Sequence, residues 1–125
     1  MEVILTNMCM VYNDKDEILV MNRVKKDWPG LTFPGGHVEE NESSLESVIR
    51  EMKEETGLKI SNVKACGFIE WNSSPREICF LYKTNCYEGE LISSREGEVF
   101  FIDKKDLHKY KFSTDFDKVL DILLK

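Results

Sequence analysis

Between Gly36 and Leu58 the chain reads GHVEENESSLESVIREMKEETGL, a helix-forming stretch bracketed by glycines. Asn41 and Ser43 are suitable N-caps, and Gly57 stands where a left-handed residue ends a helix. At roughly 100° per residue, Leu45, Val48, Ile49 and Met52 fall in one apolar arc, which is expected to face a core. Glu51, Glu54 and Glu55 stand at i, i+3 and i+4 and share a neighbouring face. Exposed, such like charges repel by a few tenths of a kcal/mol per pair. In a cleft of low effective dielectric the repulsion rises to about 4 kcal/mol per pair, and a bound cation reverses its sign. Carboxylate oxygens with no His or Cys among them select Mg²⁺ or Mn²⁺ over Zn²⁺. Arg50 lies at the edge of the acidic face and can hold a carboxylate through a bidentate pair.

Acidic runs on helices are usually solvated faces, and a lone EExG carries no more meaning than that. The full string here is G-x5-E-x7-R-E-hydrophobic-x-E-E-x-G-hydrophobic. It specifies nine positions within 23 residues and every one is met, so a purely decorative reading fails. Residues 36–58 therefore resemble the Nudix box, with Met52 and Leu58 at its two hydrophobic positions. FPGGHVE ahead of the box, ESVIREMKEETGL within it and SSREGEV after it are similar to MutT-type 8-oxo-dGTP diphosphatases of Gram-positive bacteria.

A length of 125 residues is that of one domain, able to bury about two-thirds of its unfolded surface. Hydrophobic content of 42% and charged content of 32% are those of a soluble globular chain. A net charge of −6 opposes nonspecific binding to nucleic-acid polymers. It does not oppose a nucleotide, because a bound metal inverts the local field. Cys9, Cys66, Cys79 and Cys86 are scattered without a CxxC pair, so reduced thiols are expected, with Cys9 and Cys79 buried. No apolar run approaches the roughly 20 residues that span a bilayer, and no secretory leader is visible. A cytoplasmic enzyme, monomer or homodimer, is expected.

Thr6 to Tyr12 and Glu17 to Arg23 read as strands around the polar turn 13–16. Trp28-Pro29-Gly30 marks a loop before a short strand from Leu31 to Phe33, and Pro34-Gly35-Gly36 bends the backbone. After the box helix, Ile60 to Trp71 and Glu77 to Cys86 read as strands joined around Asn72–Pro75. Glu98 to Ile102 is another, followed by a polar turn from Asp103 to Asp106. Phe116 to Leu124 closes the chain as an amphipathic helix. The resulting class is α/β. The resemblance implies the Nudix fold, an α/β/α sandwich with a mixed β-sheet and the Nudix loop-helix-loop, over residues 1–125 as a single domain.

The resemblance also implies roles. Glu54 and Glu55 are metal ligands, and Glu51 is a metal ligand or the base that activates water, with Glu51, Glu54 and Arg50 as the catalytic set. A metal-bound water needs only modest help to lose its proton, so a carboxylate suffices. The carbonyl of Gly35 is a further ligand, where glycine allows close approach. Glu42 orients the loop and Arg50. Glu98 is expected to complete the metal site, with Glu96 in reserve. Arg23 either grips the triphosphate or is a surface arginine, His37 either contacts phosphate or lies on the strand surface, Gly36 is a substrate-binding position, and Lys25 and Lys26 are surface charges. Trp28, Phe33, Phe80 and Tyr82 are candidates for a base pocket. Asp115, ahead of the last helix, either reads the oxidised guanine through N1–H and the 2-amino group or caps the helix.

The implied activity is Mg²⁺-dependent hydrolysis of a nucleoside triphosphate, 8-oxo-dGTP above all, to monophosphate and pyrophosphate, cleansing the nucleotide pool. The alternatives within the fold are ADP-ribose, another modified dNTP or dihydroneopterin triphosphate. A non-catalytic binding module is disfavoured because every box glutamate is present.

Overall fold

The computed structural model describes residues 1–23, 30–113 and 115–125. Met8 to Tyr12 is apolar at every position, a pattern suited to a strand buried on both faces. That strand is β1 (Val3–Val11), and it lies inside a mixed sheet. It pairs antiparallel with β4 (Gly35–His37) and parallel with β7 (Arg76–Thr84). β6 (Lys64–Trp71) lies beyond β7, giving the order β4-β1-β7-β6. An antiparallel sheet has the order β3-β2-β9, from β2 (Glu17–Arg23), β3 (Leu31–Thr32) and β9 (Gly97–Asp103). β5 (Lys59–Ser61) and β8 (Cys86–Glu88) form a separate antiparallel pair.

Alternation along β1 divides the interior in two. Cys9 and Val11 join Leu19, Met21 and Val99 beneath α1 (Ser44–Thr56), where Val48 and Met52 are fully buried. Met10 points the other way, among Ile18, Val20, Phe33 and Leu81 beneath α2 (Phe116–Leu123), which contributes Phe116, Val119 and Leu123. Each such side chain withdrawn from water stabilises the fold by about 1.5–3 kcal/mol.

The ends of α1 follow from local chemistry. Ser43 is the N-cap and forms a reciprocal capping box with Glu46. Gly57 ends the helix with φ 80° and donates its N–H to Lys53. The buried stripe, however, is turned from the expected arc. It runs through Ser47, Val48, Met52, Glu55 and Thr56, and Leu45 is 43% exposed. Docking against β4 draws Glu55 inward, and Leu45 in the first turn projects to solvent.

Two further differences concern strand limits. The stretch 60–71 is not one strand, because Asn62 turns the backbone to φ 49° and β5 leaves to pair with β8. Thr84 fixes the break, its hydroxyl donating to the Ser61 carbonyl at 2.6 Å and accepting from the Cys86 N–H at 3.0 Å. The polar turn at 103–106 is lengthened into a 3-10 helix, Lys104–Lys109, capped by the Asp103 carboxylate. All four cysteines are free, with Cys9 and Cys79 buried. No helix among the described residues is long and apolar enough to cross a membrane.

Candidate active site

The glycine bend is seated on α1 by a run of buried polar contacts. The Gly36 N–H donates to Asn7 Oδ1 at 3.2 Å, and Asn7 Nδ2 donates to Ser47 Oγ at 2.9 Å. Ser47 in turn donates to the His37 carbonyl at 3.2 Å. Asn7 and Ser47 are almost inaccessible to water, so these bonds fix β1, β4 and α1 together where polar groups without partners would cost most. A side chain on the bend would collide with backbone at Gly35 and with a movable side chain at Gly36. A Cβ on Gly35 would run into the Asn7 carbonyl, and one on Gly36 would fall 2.5 to 2.8 Å from the Glu51 carboxylate.

Arg50 gathers the acidic groups. Its Nε and Nη2 grip Glu42 at 3.1 and 2.8 Å, and its Nη1 donates to Glu51 at 2.9 Å and to Glu54 at 3.1 Å. Nη2 also donates to the His37 carbonyl at 3.3 Å. The Arg50 guanidinium, with help from the Glu39 backbone, lowers the Glu42 carboxyl to about 2. Glu55 is in the opposite condition. It is 5% exposed and, among the described residues, accepts one bond, from the Gly35 N–H at 3.3 Å. Burial first, then the neighbouring Glu51 charge, push its carboxyl up to about 8 against the pull of Gly35 and Arg23. Burial also raises Glu51, opposed by Arg50.

These carboxylates open into a cleft of about 330 Å³ between the two sheets, with Glu51, Glu55, Gly35 and Gly36 at one end and Trp71 and Glu77 also on its walls. A buried, under-compensated Glu55 beside Glu51, under a glycine that a Cβ would obstruct, is a donor set suited to a hard divalent cation. Among the described residues no three His, Cys, Asp or Glu side chains are already gathered as a cage. Glu54 is drawn to Arg50 at 3.1 Å, is 59% exposed at its side chain and does not line this cleft.

The other expected site residues divide into two groups. Arg23 and His37 line the cleft, and the Arg23 Nε is buried with no hydrogen-bond partner among the described residues. Glu96 lines the cleft too, and its charge acts on Glu51 and Glu55. Glu98 does not: alternation in β9 sends it to solvent opposite Asn22, between the inward Gly97 and Val99. Phe33 is likewise not on the cleft wall, being fully buried against Phe116 at a ring separation of 4.8 Å. Phe80 and Tyr82 point from β7 toward α1, where the Tyr82 hydroxyl donates to Ser44 Oγ at 2.9 Å. Asp115 is absent from the lining. It sits at φ 63° without capping α2 through its side chain, because its Oδ2 accepts from Trp71 Nε1 at 3.0 Å. Trp28, Lys25 and Lys26 lie outside the described residues.

Several cleft residues were not anticipated. Thr32 is 1% exposed and its hydroxyl has no partner among the described residues. Thr6, Glu77 and Trp71 reach the cleft only because β1, β7 and β6 are adjacent. Alternation on each strand was the signal available, but it shows a face and not what the face meets.

Comparison with known proteins agrees with this geometry. The chain is 28% identical over 124 residues to the Nudix hydrolase YvcI of Bacillus subtilis (strain 168), covering 94% of this chain and 77% of that one. It is 28% identical over 90 residues to the 8-oxo-dGDP phosphatase NUDT18 of Danio rerio, covering 71% of this chain and 27% of the relative. A MutT structure, from a study of the Aliivibrio salmonicida and Vibrio cholerae proteins, superposes with a TM-score of 0.86 at 25% identity. That match covers 98% of both chains. The NUDIX domain family matches residues 5–121, and with that span the chain belongs to the Nudix hydrolases, with a MutT-type fold.

Proposed function

We propose that this chain is a pyrophosphohydrolase of nucleoside triphosphates that uses Mg²⁺, for which Mn²⁺ substitutes. An oxidised guanine nucleotide such as 8-oxo-dGTP is the proposed substrate, cleaved to monophosphate and pyrophosphate. A cytoplasmic role in cleansing the nucleotide pool fits such chemistry. The observation that carries the reading is the meeting of the Glu51 carboxylate with Gly36 beside the buried Glu55, all at one end of the cleft. The relatives support it: one acts on 8-oxo-dGDP by its name, and a MutT protein shares the fold.

Glu51, Glu54, Glu55 and the Gly35 backbone, with Glu96 nearby, would hold a divalent cation, which when bound would neutralise polyphosphate charge and acidify a water. Glu51 takes the proton of that water. Its Oε1 already accepts from Arg50, so the carboxylate is aimed before substrate arrives, and burial raises its basicity. Glu42 keeps Arg50 in place through the two-point grip. Arg23, whose buried Nε in the cleft has no hydrogen-bond partner among the described residues, binds a phosphate oxygen and thereby satisfies that donor.

The test is pyrophosphate release with Mg²⁺ over canonical and oxidised (d)NTPs, ADP-ribose and dinucleotide polyphosphates. 8-oxo-dGTP should be the preferred substrate, and Glu51→Gln should lower kcat by about 10²–10⁴. Wild-type rates from Glu51→Gln, or full activity in EDTA, would overturn the catalytic assignment.

A further inference from the structure

The end of the cleft away from the box carries a pair of side chains that the hydrolytic chemistry does not use. Trp71 on β6 stands directly opposite Glu77 on β7 in the sheet register, and both line the cleft. The indole is held, because Trp71 Nε1 donates to Asp115 Oδ2 at 3.0 Å across 44 residues of chain. Glu77 is held as well: Thr6 Oγ1 donates to its Oε2 at 2.9 Å. Its other oxygen, Oε1, has no hydrogen bond, and no Lys or Arg pairs with the group, among the described residues. Met8 and Cys79 add apolar surface between them.

We infer that Trp71 and Glu77 form the base-reading end of the cleft. Trp71 offers the flat face on which a ring stacks, and Glu77 is the specificity-determining carboxylate for a guanine-type base. The reasoning is chemical. An ionised carboxylate only accepts hydrogen bonds and is best satisfied by two adjacent N–H groups. Guanine presents such a pair, N1–H beside the 2-amino group. Adenine places a bare ring nitrogen beside its amine, cytosine does the same, and uracil or thymine sets one N–H between two carbonyls. Each of these puts an acceptor against the carboxylate, and an unpaired acceptor in a partly buried site is penalised. Because the edge read by Glu77 is unchanged by oxidation at C8, the residue selects guanine over other bases and is indifferent to that oxidation. Asp115 is then a positioning residue, acting on the base through the indole.

This inference rests on the nucleotide-hydrolase reading for the identity of the ligand, and binding without turnover separates the two. Calorimetric titration of the whole protein in Mg²⁺ with dGMP, dIMP and dAMP is the measurement. Inosine keeps N1–H and lacks only the 2-amino group. A hydrogen bond to a charged group contributes about 1.5–3 kcal/mol, so dGMP should bind roughly tenfold to a hundredfold more tightly than dIMP. Glu77→Gln keeps the shape and an acceptor for Thr6, and it should bring the dGMP-to-dIMP ratio within about threefold. Should that variant not fold, 1-methyl-dGMP on the wild type, lacking one of the two donors, should bind as weakly as dIMP. Trp71→Leu should weaken all three monophosphates alike. Asp115→Ala should do the same with the ratio intact, and Asp115→Asn, which retains an acceptor for the indole, should restore affinity.

An unchanged dGMP-to-dIMP ratio in Glu77→Gln, or a wild type that binds no monophosphate or binds dIMP as well as dGMP, overturns the proposal. A protein that releases no pyrophosphate yet shows the dGMP preference defeats the hydrolytic reading and leaves this one standing. One that hydrolyses triphosphates with the ratio unmoved by Glu77→Gln does the reverse.

Discussion

Replacing Glu55 by Gln should make the metal-free protein more stable and remove a large part of its pH dependence. The carboxyl is raised to about 8 in the folded chain, chiefly by burial, against an ordinary value of 4.5. Below 4.5 the group is protonated in both states and imposes no penalty. Between 4.5 and 8 the unfolded chain ionises while the folded chain still holds its proton. The native state then binds more protons, and stability falls as pH rises, levelling off above about 8. At about 1.4 kcal/mol for each tenfold change in proton affinity, the loss is on the order of 5 kcal/mol. For a domain of this size that is a melting shift of roughly 20 °C. The assay is urea unfolding of wild type and Glu55→Gln in EDTA at intervals from pH 5 to pH 9. The difference between the two curves should grow with pH in favour of the variant, and Mg²⁺ should stabilise the wild type at pH 8 but not the variant. A difference that stays flat across the range, or a variant less stable than wild type at pH 8, would refute the claim that Glu55 is an under-compensated buried acid.

Gly36→Ala places a methyl group against the Glu51 carboxylate; pyrophosphate release should fall about tenfold to a hundredfold while the circular dichroism melt is nearly unchanged. Ser43→Ala removes one half of the capping box and should cost about 1 kcal/mol in urea unfolding, with kcat unaffected because the site lies further along the helix. Titration of the native protein with a disulfide reagent should find two reactive thiols, Cys66 and Cys86, which are partly exposed. Cys9 and Cys79 are buried, and burial raises both thiols, that of Cys79 to about 11; they should react only after denaturant is added.

The limits of α1 were legible because they are written locally, in Ser43 and Glu46 at one end and Gly57 at the other. The limits of β2 were legible because its apolar run, Ile18 to Met21, is bounded by polar residues. The rotation of α1 was not. Both arcs contain Val48 and Met52, and only docking against β4, which takes Glu55 inward and leaves Leu45 outside, decides between them. The same holds for the split at Asn62, which depends on β8 some 25 residues later. Phe33 and Asp115 illustrate a different difficulty. An aromatic group and a carboxylate near a cleft are chemically equipped to bind a base, yet one is claimed by Phe116 and the other by Trp71. Composition supplies the equipment, and strand adjacency assigns it.

The position of β1 has a consequence for how the molecule is made. It leaves the ribosome ahead of the other strands described, and one of its two neighbours, β7, is 71 residues behind where Thr6 meets Glu77. At ordinary rates of synthesis that interval lasts on the order of ten seconds. During it, β4 can cover one edge of β1, while the other remains a row of unpaired amides beside a run of methionine, cysteine and valine. Elongation pauses ahead of Thr84 would prolong the period in which aggregation through that open edge competes with folding.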